Sequence, residues 1–157
     1  MSHEQIDLVL KRFERPDGTR EMAKGRFEIV RIGALTIGRA TYEPGWKWSE
    51  HVGPALGQLL CPVEHVGLVL SGAAAVAFED GTVHALTPGT LFHVPPLPHD
   101  SWVVGDEPYV SLHLSGAEHY ATQANAPRPT STSPRFPPRP PTPPHPAPES
   151  VLRTPSP

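Results

Sequence analysis

Apolar residues in this chain recur with a period of two, in short runs closed by turn residues. Residues 27–32 alternate in this way, and Leu35–Tyr42 follows after Gly33, rich in β-branched side chains; both predict half-buried strands. Pro44-Gly45 interrupts the pattern, and residues 46–51 resume it as an extended alternation. Residues 65–70, His-Val-Gly-Leu-Val-Leu, form an apolar run too short for a helix and closed by Ser71-Gly72, which predicts a strand buried on both faces. Ala73–Phe78 continues the chain to Asp80-Gly81, where a type I′ hairpin turn is predicted, and residues 82–86 return. Leu91–Val94, residues 101–104 and residues 109–114 are further short strands, separated by the rigid corner 95–98 and the turn 105–108. At the start of the chain, residues 6–13 are predicted as a strand that stops at Arg15-Pro16-Asp17-Gly18. About nine short strands at turn spacings near ten residues, with no long helix and no internal repeat, predict an all-β sandwich or barrel.

Composition divides the chain in two. Thirteen of the 22 prolines fall between Pro127 and Pro157, so residues 126–157 are expected to be a disordered proline-rich tail and residues 1–125 a single domain. The domain carries a net charge of −6 and the tail +3, which gives no electrostatic case for nucleic acid or an anionic membrane. PxxP spacings in the tail would suit a proline-recognising groove, but they arise automatically in such a composition. The single cysteine, Cys61, excludes an intramolecular disulfide. Residues 1–10 are too charged for a signal peptide, and no apolar run reaches membrane-helix length, so a soluble cytoplasmic protein is expected.

The chemistry enters with His65, which the central strand carries into the interior. A buried imidazole must be hydrogen-bonded or bind a metal, because leaving it unpaired costs roughly 1–3 kcal/mol. Three spacings bear on that choice. Gly45 precedes His51 with five residues between them, His65 precedes Gly72 with six, and Gly89 precedes Pro95 with five, His99 lying four positions beyond Pro95. Together they resemble the two signature motifs of the cupin superfamily, which implies a small jelly-roll β-barrel around one divalent metal ion, zinc or iron(II). By that resemblance His51 matches the first motif's leading histidine, His65 stands where the family has glutamate, and His99 matches the histidine of the second motif. Gly53 occupies the place of the family's second histidine, and the loop between Val52 and Glu64 is longer than the motif.

Cys61 is a candidate for the missing ligand. It lies four residues before His65, on the same face of an extended segment, and a Cys-His donor set suits zinc or iron(II). A lone cysteine is equally at home as a small buried hydrophobe. Glu50 competes with His51, because strict alternation from Trp46 and Trp48 aims Glu50 inward. His93, on the strand entering the corner, and Trp102 are candidates for contacting a substrate; His84 and His113 have only a structural reading. The resemblance implies a metal-dependent enzyme acting on a small organic molecule, or a non-catalytic barrel that senses a ligand or metal. It also implies a homodimer paired through its sheets.

Overall fold

The computed structural model describes residues 7–118. Nine strands and two single helical turns follow one another: β1 Gly18–Met22, β2 Gly25–Ile32, β3 Leu35–Tyr42, α1 Trp48–His51, α2 Gly53–Leu56, β4 His65–Ser71, β5 Ala73–Phe78, β6 Val83–Leu86, β7 Leu91–Val94, β8 His99–Val104 and β9 Tyr109–Ser115. They form a six-stranded sheet in the order β1-β2-β3-β9-β4-β7 and a three-stranded sheet in the order β6-β5-β8. All pairings are antiparallel. From β4 onward the chain passes repeatedly between the two sheets, and this exchange makes the small jelly-roll barrel that the motif resemblance implies, within the all-β class that the strand pattern predicts. Among the described residues no helix is long and apolar enough to cross a membrane. The expected proline-rich tail, residues 126–157, lies outside the described residues.

Turn chemistry places the crossings. Pro44-Gly45 and Pro88-Gly89 each sit at the centre of a turn closed by a backbone hydrogen bond, Trp46 N to Glu43 O and Thr90 N to Thr87 O, both at 3.0 Å. Both glycines have positive φ, +82° and +85°, as the third position of a type II turn requires. The hairpin at Asp80-Gly81 forms, but its turn is not type I′. Gly81 N bonds to Phe78 O at 3.0 Å, and of these residues only Gly81 has positive φ. The loop is therefore a type I turn followed by a glycine bulge, with Asp80 Oδ1 accepting from Thr82 N at 2.9 Å.

Two predicted elements differ from the structure. Residues 7–12 are irregular, and the first strand begins instead at Gly18, inside what reads as a turn signal. Asp17 organises this stretch by accepting from Arg31 N and Lys11 Nζ, each at 2.7 Å, and Phe13 lies under the Arg39 guanidinium, 4.9 Å from ring centre to Cζ. Residues 48–51 are a helical turn and not an extended run. Asp100 holds that turn, its carboxylate accepting from Ser49 N at 3.0 Å and Ser49 Oγ at 2.8 Å.

The core lies between the sheets and is built from Phe27, Ile29, Tyr42, Trp46, Trp48 and Val69. Gly67 permits the closest packing in it. A Cβ there would collide with the Leu112 carbonyl oxygen and come within 2.5 Å of the Phe92 ring. Backbone cannot yield as a flexible side chain can, so Gly67→Ala is expected to cost about 2–3 kcal/mol by overpacking, read as a lower urea midpoint with an unchanged m value.

Candidate metal centre

β4 and β9 turn His65, Ser111 and His113 to the interior. Along β4, His65, Gly67 and Val69 are buried; along β9, Tyr109, Ser111 and His113 are buried. The register sets Gly67 opposite His113 and Val69 opposite Ser111, so a polar seam runs down the inner wall of the large sheet. His99 opens β8 on the facing sheet. The long loop before β4 is pinned against it by a two-way backbone bridge, Cys61 N to His99 O at 2.8 Å and His99 N to Cys61 O at 3.1 Å. That bridge carries the Cys61 thiol into the barrel.

The three side chains converge. Ligand atoms of Cys61, His65 and His99 all lie within 4.8 Å of one another, and all three residues are buried. Cys61 Sγ and His65 Nε2 are 3.4 Å apart. Bonds of about 2.3 Å to sulfur and about 2.0 Å to nitrogen at tetrahedral angles put two such donors about 3.5 Å apart, so this pair already has the spacing of a zinc site. His99 is oriented by its other nitrogen: Nδ1 lies 2.8 Å from the Leu97 carbonyl oxygen and must donate to it, which leaves Nε2 as the lone-pair donor. Burial lowers the His99 pKa, keeping the imidazole neutral as a ligand must be. Burial also pushes the Cys61 thiol up to about 11; the nearby Asp100 carboxylate adds to this and a backbone hydrogen bond from Val63 partly offsets it. Gly116, at φ +86°, leaves room beside His65, since a Cβ there would stand 3.1 Å from Nδ1 and strike the Glu64 carbonyl. Two imidazoles and one thiol in a buried, pre-spaced cluster fit a divalent ion of zinc or iron(II) type. Cys61 also packs in the hydrophobic core, so its two sequence readings coincide in one position.

The other candidates lie elsewhere. His51 is on α1 with its Nδ1 3.0 Å from the Lys47 backbone, and it is not part of the cluster. The helical turn replaces the extended run that would have aimed Glu50 inward. Glu50, on the same turn, is solvent-facing with Lys47 Nζ 3.8 Å away. His93 is on the outer side of β7, its Nε2 2.7 Å from Glu64 Oε1. It lines an outer pocket of about 520 Å³, on whose wall Phe78 stands with its ring 6.0 Å from that of His99. Trp102 lines a separate shallow pocket with Lys47 and Glu50.

His113 has only a structural reading in the sequence, yet it stands beside the cluster. Its ring centre is 5.5 Å from that of His65 with the planes at 86°, and Ser111 Oγ lies 3.1 Å from its Nε2. Burial brings its pKa down to about 4. His65, His99 and His113 share the wall of one inner cavity with Trp46, Trp48 and Tyr109, leaving about 50 Å³ of space for water centres. The available signal was the pattern of residues 109–114, where Tyr, Ser and His alternate with Val, Leu and Leu. Taken at face value, that pattern turns the aliphatic residues inward.

No protein-family model and no curated protein matches the chain. Solved structures with a similar fold include members of the cupin superfamily. A protein of unknown function from Rhizobium leguminosarum is 21% identical, with a TM-score of 0.48 over 69% of this chain and 95% of its own. A double-stranded β-helix domain protein from Klebsiella pneumoniae is 17% identical, with a TM-score of 0.46 over 72% of this chain and 87% of its own. A cupin superfamily protein from Desulfitobacterium hafniense is 16% identical, with a TM-score of 0.40 over 64% of this chain and 80% of its own. The geometry of the Cys61, His65 and His99 cluster stands independently of these similarities.

Proposed function

We propose that this chain holds one divalent ion, zinc or iron(II), on Cys61, His65 and His99, and that it is a metal-dependent enzyme acting on a small organic molecule in the adjoining cavity. The observation that carries this reading is the convergence of three buried donors of matched chemistry within 4.8 Å. Three protein ligands leave a fourth tetrahedral position open, and an ion so held supplies a Lewis acid for a substrate oxygen or for water. The protein's own contribution is to fix the donors before binding. The Cys61–His99 backbone bridge sets the thiol, the Leu97 carbonyl selects the His99 tautomer, and the aromatic wall excludes bulk water. A non-catalytic metal-binding module is the second reading, and the small size of the inner cavity favours it.

The test is elemental analysis of untagged protein, for the parent and for His65→Ala and His51→Ala. Near one equivalent of zinc or iron in the parent, lost in His65→Ala and kept in His51→Ala, is expected. Absence of metal from every preparation, even after reconstitution, would sink the metal reading. Metal bound without turnover of any small carbonyl or hydroxyl compound would select the binding module.

A further inference from the structure

Cys61, His65 and His99 are 2%, 5% and 2% exposed, so an ion reaches them only if part of their surroundings opens. A buried metal centre needs an entry path, and the end of β5 offers one. Ala74, Val76 and Phe78 share one face of that strand. Ala74 and Val76 line the inner cavity, whereas Phe78 lines the outer pocket of about 520 Å³. The boundary between the two spaces therefore falls at Phe78.

The metal cluster lies on that boundary. Register sets Phe78 opposite His99 on one side, and the backbone bridge sets Cys61 opposite His99 on the other, which makes one row of the three. The Phe78 ring centre is 6.0 Å from that of His99, with 57° between the planes. Leu97, whose carbonyl oxygen accepts from His99 Nδ1, also lines the outer pocket. The pocket thus meets His99 at two places, and at one of them through a single phenyl ring.

That ring is free to turn while its backbone stays fixed. The hairpin pins the main chain, Phe78 N to Thr82 O and Gly81 N to Phe78 O, both at 3.0 Å. A phenyl group makes no such bonds, and its ring neighbours are His99 and His84, the latter 6.1 Å away. Phe78 is half-buried, the outer pocket gives its ring a space to swing into, and a rotamer change requires no strand to move. Glu79 and Asp80 line the same pocket and, among the described residues, no Lys or Arg does, so the approach favours a cation. The inner cavity, with about 50 Å³ of space for water centres, holds a few waters and nothing of substrate size.

We infer that the outer pocket is the entry to the metal centre and that Phe78 is its gate, closed in this structure and opened by rotation of the ring. This rests on the reading of Cys61, His65 and His99 as a metal centre. Phe78 then sets, by size, which molecules reach the open position on the ion.

Cys61 is the single cysteine of the chain, so a thiol reagent reports on the cluster without any metal. The experiment follows metal-free, full-length protein reacting with methyl methanethiosulfonate by mass spectrometry, and zinc-loaded protein losing zinc to a chromophoric chelator. A gate open about a tenth of the time or less limits both rates by that fraction, so Phe78→Ala is expected to raise each about tenfold or more. Phe78→Trp, which keeps a larger ring in the gap, is expected to slow both. Ile29→Ala, a core truncation on β2 that leaves the outer pocket intact, controls for general loosening, with urea midpoints measured for every variant. Phe78→Ala reacting no faster than Ile29→Ala, or Phe78→Trp as fast as the parent, would overturn the inference. So would Leu86→Ala, on the wall of the inner cavity, exposing the thiol when Phe78→Ala does not. Failure of the metal reading looks different. A protein that takes up no zinc loses that reading, while the thiol rates of the metal-free samples still decide for or against the gate.

Discussion

Exchanging Cys61 for serine will weaken zinc binding by a few hundredfold to a thousandfold and will remove a pH dependence that the parent must show. A structural zinc site is worth roughly 10–16 kcal/mol, so one ligand's share is on the order of 3–4 kcal/mol. The pH dependence follows from the thiol. Its pKa is pushed to about 11, chiefly because burial disfavours the thiolate, so at neutral pH the metal-free protein carries the proton there. An arriving ion must displace that proton. The apparent affinity of the parent should therefore rise about tenfold for each pH unit between 7 and 10. His99 adds no slope in that range, since its pKa is lowered from 6.5 and the ring is already neutral. Competition against a chromophoric chelator at pH 7, 8 and 9 reads both effects. A flat parent profile, or Cys61→Ser binding zinc as the parent does, would make Cys61 a core residue and leave two histidines to explain the cluster.

The parts of this site that were legible in the sequence are those fixed by local rules. His65 at the head of an apolar run, the Pro-Gly turns, and the four-residue interval from Cys61 to His65 all depend on spacing alone. What was not legible depends on which face a strand turns inward. In β4 and β9 the aliphatic residues Leu68, Leu70, Leu112 and Leu114 point away from the core, and Leu70 and Leu114 are nearly half exposed, at 46% and 49%. The side chains turned inward include His65, Ser111 and His113. Pattern reasoning assigns the aliphatic face to the core because burying it gains most, and the barrel reverses this where it builds a polar seam. The predicted two-sided burial of the central strand fails for the same reason. The position of His51 was not legible for a different reason. Nothing within residues 46–51 forbids an extended run, and the helical turn there depends on Asp100, whose carboxylate satisfies Ser49 from about fifty positions away.

Acidifying the metal-free protein from pH 7 to pH 4 will cost about 3 kcal/mol through His113 alone. The ring is buried against Phe27 and Phe92, and burial takes its pKa from 6.5 to about 4 with no carboxylate to offset it. Between those values the unfolded chain binds a proton that the folded chain refuses. Stability from this group is therefore fully present above pH 6.5, falls as the pH drops, and is exhausted near pH 4. A shift of about 2.5 units at 1.36 kcal/mol each gives roughly 3 kcal/mol. Exposed carboxylates such as Asp17 and Asp80 also lose favourable partners in acid, so the parent's curve alone does not isolate His113. His113→Phe isolates it. Phenylalanine suits the surrounding rings, and Ser111 keeps Tyr109 as a hydrogen-bond partner. The variant should match the parent within about 1 kcal/mol at pH 7 and lose roughly 3 kcal/mol less by pH 4, in urea titrations at pH 7, 5.5 and 4. Parallel losses in the two proteins would mean that the His113 ring is hydrated in solution. The cavity wall formed by His65 and His113 would then be open to water, and the low pKa of His113 would not hold in solution.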